Sequence, residues 1–158
     1  MDYGLLTTRF TNETALENKR WRESNEYKGC MYLLKSKISD RLDYNKLYFV
    51  LEMNNSINKI MGIGIVSIKH SGCREKIYSN TYYNRYMYKG STRVDVFRDG
   101  DYCIDRVDEF IEYFEDPLFR GKGHMKRGQS MTHFPYKKMT PKHIELLKYW
   151  VKQYHLVH

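Results

Sequence analysis

The chain has 158 residues, with 27 Lys and Arg against 19 Asp and Glu and a formal net charge of +8. That length suits one domain spanning 1–158 and can bury a core without a disulfide or metal staple. The 41% hydrophobic and 15% aromatic content excludes intrinsic disorder, and no apolar run approaches the ~18–20 residues of a membrane span.

Met1 to Gly4 lack the basic and apolar regions of a secretory leader, so none is expected. Gly4 to Phe10 reads as an opening strand. Thr11 and Asn12 are capping residues for a helix that follows, and Thr14-Ala15-Leu16-Glu17 has capping-box spacing. Leu16 and Trp21 are that helix's large apolar residues, which places it on a surface. Gly29 to Leu34 is a short extended apolar segment, and Ser39 to Asn45 is a loop. Leu47 to Met53 is rich in strand formers. Asn54 to Asn58 forms a turn, and Lys59 to Lys69 returns as the second arm of a hairpin. Gly62 and Gly64 in that arm mark a bend or a close backbone approach. His70 to Asn80 is a polar loop. Tyr82 to Tyr88 is dense in aromatics, Ser91 to Phe97 alternates like a strand, and Arg98-Asp99-Gly100-Asp101 is a turn. Ile104, Val107, Phe110, Ile111 and Phe114 recur at helical spacing until Pro117 stops them. Thr140-Pro141 caps a final helix with Ile144, Leu147, Val151 and Tyr154 on one face. The expected class is α+β: a mixed or antiparallel sheet curled into a partial barrel, with three flanking helices.

Charge is unevenly placed. Asp99 to Asp116 holds eight acids and one base, a local −7, so the rest of the chain carries +15. Arg120 to Lys138 holds Arg120, Lys122, Lys126, Arg127, Lys137 and Lys138 and no acid. Such a stretch suits phosphate oxygens, with His124, His133 and Gln129 as added donors and Gly121, Gly123 and Gly128 allowing backbone approach. It also suits a solvated loop, or one paired with the chain's own acidic helix over 102–116. Arg85 and Arg93 are further candidate phosphate contacts. Gly123 to Ser130 has the outline of a phosphate-binding P-loop, but glutamine stands where the lysine must reach the terminal phosphates, so a nucleotide-hydrolase reading is rejected. Cys30, Cys73 and Cys103 are scattered thiols, which suits a reducing compartment rather than a disulfide framework, and no spacing predicts a metal site.

Tyr78, Tyr82, Tyr83, Tyr86 and Tyr88 interleave with Asn80, Asn84, Arg85 and Lys89. Aromatic faces stack on bases while basic residues hold the backbone, the combination a reader of single-stranded or flipped bases needs. Alternate tyrosines are equally expected to face a core. Trp21 and Trp150 read as packing residues. His124 and His133 could act as acid and base in a nuclease or a base-modifying hydrolase.

Leu47 to Asn55 followed by Ile60-Met61-Gly62-Ile63-Gly64, after a strand, a helix and Gly29-Cys30-Met31-Tyr32, resembles the opening of the PUA-like superfamily, closest to its YTH and EVE branches. Arg93-Val94-Asp95 is similar to a later strand of those families. The resemblance covers roughly the first 95 residues and rests on element order. The AT-rich coding skew, with one alanine (Ala15) against fifteen Tyr, and the stretches Glu52-Met53-Asn54-Asn55 and Lys126-Arg127-Gly128 also resemble proteins of large DNA viruses, which implies the cytoplasm of an infected cell or a virion. The superfamily implies a curled barrel that reads nucleic acid, RNA ahead of DNA, with an aromatic pocket for a modified base. YTH domains carry a cage tryptophan where this chain has Tyr32, so Tyr32 would be the substitute wall, with Tyr82, Tyr83 or Tyr86 opposite. The reading is an RNA-binding module without cofactor, metal or membrane. Tyr32, Tyr82, Tyr83, Tyr86, Tyr88 and Asn84 would contact bases. The alternatives are an enzyme using His124 and His133, and a viral structural component whose basic loop or acidic helix docks a protein.

Overall fold

The computed structural model describes residues 3–39, 41–69, 71–72, 75–121, 124–126 and 131–155. In chain order the elements are β1 (Tyr3–Phe10), α1 (Asn12–Ser24), β2 (Cys30–Leu34), β3 (Leu47–Asn54), β4 (Lys59–Ser67), β5 (Ser71–Gly72), β6 (Tyr86–Gly90), β7 (Thr92–Asp95), β8 (Phe97–Arg98), β9 (Asp101–Tyr102), α2 (Val107–Phe110), a π turn (Ile111–Glu115), α3 (Asp116–Phe119), β10 (Thr132–His133) and α4 (Pro141–His155). The chain is α+β with mixed sheets and, among the described residues, three helical regions: α1, the α2–π–α3 run and α4.

A five-stranded sheet has the order β10-β1-β3-β4-β7, β2-β6-β5 form a second sheet, and β8-β9 a small third one. β1 runs parallel to β3, and the other pairings are antiparallel. The three sheets are not joined into a closed barrel among the described residues.

β3 explains why the central sheet is covered on both sides. Its apolar run is continuous rather than alternating, the pattern of a strand buried on both faces. Phe49, Leu51 and Met53 join α4 and the α2–π–α3 run through Phe110, Phe114, Leu147 and Trp150. Tyr48 and Val50 face the opposite cluster, with Leu6, Phe10, Tyr32, Leu33 and Tyr88. Leu51 pairs with Ile63 but Met53 pairs with Ile60, so β4 carries one extra residue there. This bulge reorients the strand beside Glu52.

Three local expectations are corrected. Pro117 does not end the helix. The wider π turn precedes it, and the proline falls in the first turn of α3, where its missing N–H leaves no bond unmade. At the other end, Arg106 has φ 53° and fixes the helix start at Val107, leaving Ile104 outside. The reciprocal cap of α1 is Thr11 with Thr14, rather than Thr14 with Glu17. Thr11 Oγ1 accepts from Thr14 N–H at 3.2 Å, and Thr14 Oγ1 accepts from Thr11 N–H at 3.0 Å. Glu17 instead accepts from Ser79 N–H at 2.7 Å.

α1 is a surface helix, as its sparse apolar content predicts, but it is anchored by a polar group. Its one fully buried residue is Asn18. Asn18 Nδ2 donates to Met31 O at 2.7 Å and to Tyr78 Oη at 3.0 Å, and Asn18 Oδ1 accepts from Arg22 Nε at 2.9 Å. Leucine there would leave the Met31 carbonyl dry and unpaired. Asn18→Leu is expected to lower stability by about 2–3 kcal/mol, read as a shifted urea midpoint at unchanged slope.

Candidate functional site

A cavity of about 360 Å³ opens where the end of β1, the first turn of α1, β2 and the loop before β6 meet. Strand parity brings its first polar group. Along β1, Leu6 and Phe10 face the β2 side of the sheet, so Thr8 faces it too. Thr8 is only 3% exposed and lines the cavity.

The opposite wall comes from the loop ahead of β6. Asn80 Oδ1 accepts from Tyr82 N–H at 3.1 Å and starts a single 3₁₀ turn over Thr81–Asn84. Asn84 clamps the same loop: its Oδ1 accepts from Tyr78 N–H at 3.1 Å, and its Nδ2 donates to Tyr78 O at 2.8 Å. The clamp sets Tyr83 half-buried against the cavity, while Tyr82 stands 66% exposed outside it. Tyr32, Leu33, Leu34 and Tyr78 complete the apolar lining. Asn55 and Lys126 close the remaining side. Asn55 Nδ2 donates to Lys126 O at 2.8 Å, whereas its Oδ1 is buried with no partner among the described residues. The Lys126 ammonium pairs with no carboxylate among the described residues.

Behind the Tyr32 ring lies a buried charge cluster. Tyr32 Oη donates to Glu52 Oε2 at 2.6 Å. Arg93 grips the same carboxylate with Nε to Oε2 at 2.9 Å and Nη2 to Oε1 at 2.7 Å, and its Nη1 meets Asp95 Oδ1 at 2.6 Å. Glycines make the room. A Cβ on Gly62 would lie 2.5 Å from Arg93 Nη2, and one on Gly64 would lie 2.3 Å from Tyr32 Oη. Burial, then the Glu52 charge, pushes the Tyr32 phenol well up, so it stays a neutral donor. Burial, then the same carboxylate, raises the neighbouring Cys30 thiol to about 11, which keeps it unreactive at neutral pH.

The residues proposed from sequence therefore separate. Tyr32, Tyr83 and Lys126 meet at the cavity. Tyr82 and Arg85 are exposed beside the loop. Tyr86 is half-buried and does not line the cavity. Tyr88 is 1% exposed, and its hydroxyl accepts from Ile38 N–H at 3.1 Å. Its expected role at a base is corrected to a packing role, because β6 alternation turns it inward. Asn84 is taken up by the loop backbone. Arg93 is corrected as a phosphate contact, since Glu52 and Asp95 occupy its guanidinium. Tyr32 offers only part of its ring, because its hydroxyl is committed to Glu52. Arg120 is exposed and pairs with Asp116 at 3.2 Å, a link from the basic segment to the acidic helix. Lys122, Arg127 and Gln129 lie outside the described residues.

His124 Nδ1 accepts from Lys126 N–H at 3.4 Å, and His133 sits on β10; neither imidazole lines the cavity. Burial, with Lys46 nearby, pushes the His133 pKa down. No group of three or more His, Cys, Asp or Glu residues that could hold a metal ion is present among the described residues, and no helix among them is long and apolar enough to cross a membrane.

Sequence reasoning missed Thr8 and Asn55. One is a lone hydroxyl in a strand and the other a turn asparagine, and neither pattern announces a cavity. Comparison with family models, with curated proteins and with solved structures returns no match.

Proposed function

We propose that the chain is a PUA-like nucleic-acid reader, a single domain that binds single-stranded nucleic acid, RNA ahead of DNA, and takes one base into the cavity. The observation that carries this reading is the cavity's composition. Aromatic walls from Tyr32 and Tyr83 stand beside Thr8 and the buried Asn55 Oδ1, which has no partner among the described residues, with Lys126 at the side. A base needs a face to stack on, polar atoms for its edge and a cation for its phosphate. The volume of about 360 Å³ lies at the small end of ligand sites, which fits one nucleoside. The close packing of the second sheet on β4, where Gly64 admits Tyr32, supports a partial barrel.

The test is fluorescence anisotropy with labelled octamers of adenylate, cytidylate, guanylate and uridylate, titrated across salt. The expected result is binding that weakens by about 0.7 log units per log unit of salt for each phosphate contact. Tyr83→Ala should weaken the preferred octamer by roughly 5–150-fold, the loss of one stacked base. Salt-indifferent affinity, or Tyr83→Ala binding as wild type does, overturns the reading.

A further inference from the structure

A second, larger groove of about 860 Å³ runs along the outer face of α1, opposite the β3–β4 turn, β7 and the β8–β9 hairpin. Arg22 lines it and is half-buried. Its Nε donates to Asn18 Oδ1 at 2.9 Å, and its terminal guanidinium nitrogens have no partner among the described residues. The two buried-cluster carboxylates are taken: Glu52 by Arg93, and Asp95 by Arg93 and Arg98. The cluster of Arg22, Glu52, Arg93, Asp95 and Arg98 thus carries one cation in excess, and Arg22 is the one left over. Burial first, then the Arg93 charge, pushes its pKa down, so its charge is held at a cost. A half-buried guanidinium with unused donors on an open groove calls for an anion, and its planar fork suits phosphate.

The groove and the cavity adjoin. Thr11, Thr14 and Asn55 line the cavity, and Asn12 and Asn54 line the groove. Only the first turn of α1 separates them, tied down by Asn12 N–H to Ser56 Oγ at 2.9 Å and Asn54 Nδ2 to Asn12 Oδ1 at 3.0 Å. From Thr14 to Arg22 the helix rises about 12 Å, a span of a few nucleotides. Lys19 stands one turn before Arg22 on the groove side, and Leu16 and Ile57 offer exposed apolar surface in the same groove. Glu23, Glu26 and Asp99 line the groove past Arg22, so the favourable track runs from the first turn of α1 and ends at Arg22 in its last turn.

We propose that this groove carries the phosphate backbone of the strand whose base enters the cavity, with Arg22 clamping a phosphate and Lys19 flanking it. The proposal rests on the nucleic-acid reading above and assigns a second subsite to it.

The test compares a dinucleotide with an octamer of the preferred homopolymer. Wild type should bind the octamer at least about tenfold more tightly, the size of one charge-assisted contact. Arg22→Gln and, separately, Lys19→Glu should remove most of that gain and leave the dinucleotide unchanged. Arg22→Gln should also lower the octamer's salt slope by about 0.7. Lys19 is exposed, so its variant keeps the test valid if Arg22→Gln folds poorly. Equal affinity for the two lengths, or an octamer indifferent to both variants, overturns the groove assignment alone. So does an octaglutamate peptide that requires Arg22 while RNA does not. Tyr83→Ala without effect on the dinucleotide overturns the cavity reading instead, and a wild type that binds neither length overturns both.

Discussion

Arg93→Met is expected to lower stability by about 3–5 kcal/mol at pH 7, the loss seen when one partner of a buried ion pair is removed. Arg93 is 7% exposed and Glu52 is 3% exposed. The substitution leaves Glu52 with Tyr32 as its only remaining hydrogen-bond donor among the described residues. The carboxylate would then have to protonate or drag solvent inward. The double variant Glu52→Gln with Arg93→Met should recover more than half of the loss, because it removes the uncompensated charge while Tyr32 keeps an acceptor. A double variant no better than Arg93→Met alone would mean that packing, not charge, sets the cost.

Acid reports the same cluster. Burial pushes the Glu52 carboxyl up, but the Arg93 charge and hydrogen bonds outweigh it and leave it below the ordinary value of 4.5. Asp95 is also lowered, with burial opposing and Arg93 prevailing. A carboxyl depressed in the folded state adds stability above its unfolded pKa and loses it as pH falls through the folded value. The gap between wild type and Arg93→Met should therefore be widest near pH 7 and close below about pH 4. Urea denaturation at pH 7 and pH 3 checks this.

Gly90→Ala is the second large expected effect. A Cβ on Gly90 would lie 1.7 Å from the carbonyl oxygen of Ile65, a backbone atom that no side-chain rotation can move. Gly90 ends β6 and Ile65 lies in β4, so the contact joins the two larger sheets. The Gly90 carbonyl also accepts from Tyr27 Oη at 2.9 Å, so the strand end is held from both sides. Overpacking usually costs ~1–3 kcal/mol, and a clash with fixed backbone should reach or exceed the top of that range. Gly100→Ala is the control. Gly100 has φ 85° and open space around it, so only the left-handed backbone penalty of ~1–2 kcal/mol applies. A thermal melt should rank Gly90→Ala well below Gly100→Ala; equal midpoints would show that the sheets slide apart freely.

The hairpin of β3 and β4 was readable because a continuous run of strand formers meets an asparagine-rich turn. The two glycines in its return arm were readable as a close approach for the same local reason. What they approach was not. Glu52 sits in the middle of an apolar strand, and its partner Arg93 lies 41 positions away, beyond any periodicity. The parallel pairing of β1 with β3 was likewise hidden, since nothing local distinguishes it from an antiparallel one. At the cavity, the aromatic density of 82–88 includes the loop that supplies one wall. The 3₁₀ turn then chose Tyr83 over Tyr82, and strand alternation sent Tyr88 inward. Thr8 gained meaning only when parity put it on the face shared with Leu6 and Phe10.

β1 pairs with β3 on one side and, through Leu6 with His133 and Thr7 with Thr132, with β10 on the other. During synthesis at ~5–20 residues per second, Thr132 follows Phe10 by roughly 6–24 s. Throughout that interval the nascent chain presents one bare edge of its first strand, a template for foreign strands. β10 is thus a late-arriving clasp. Because β10 lies within the basic segment from Arg120 to Lys138, the charge-rich part of the chain is also what completes the sheet.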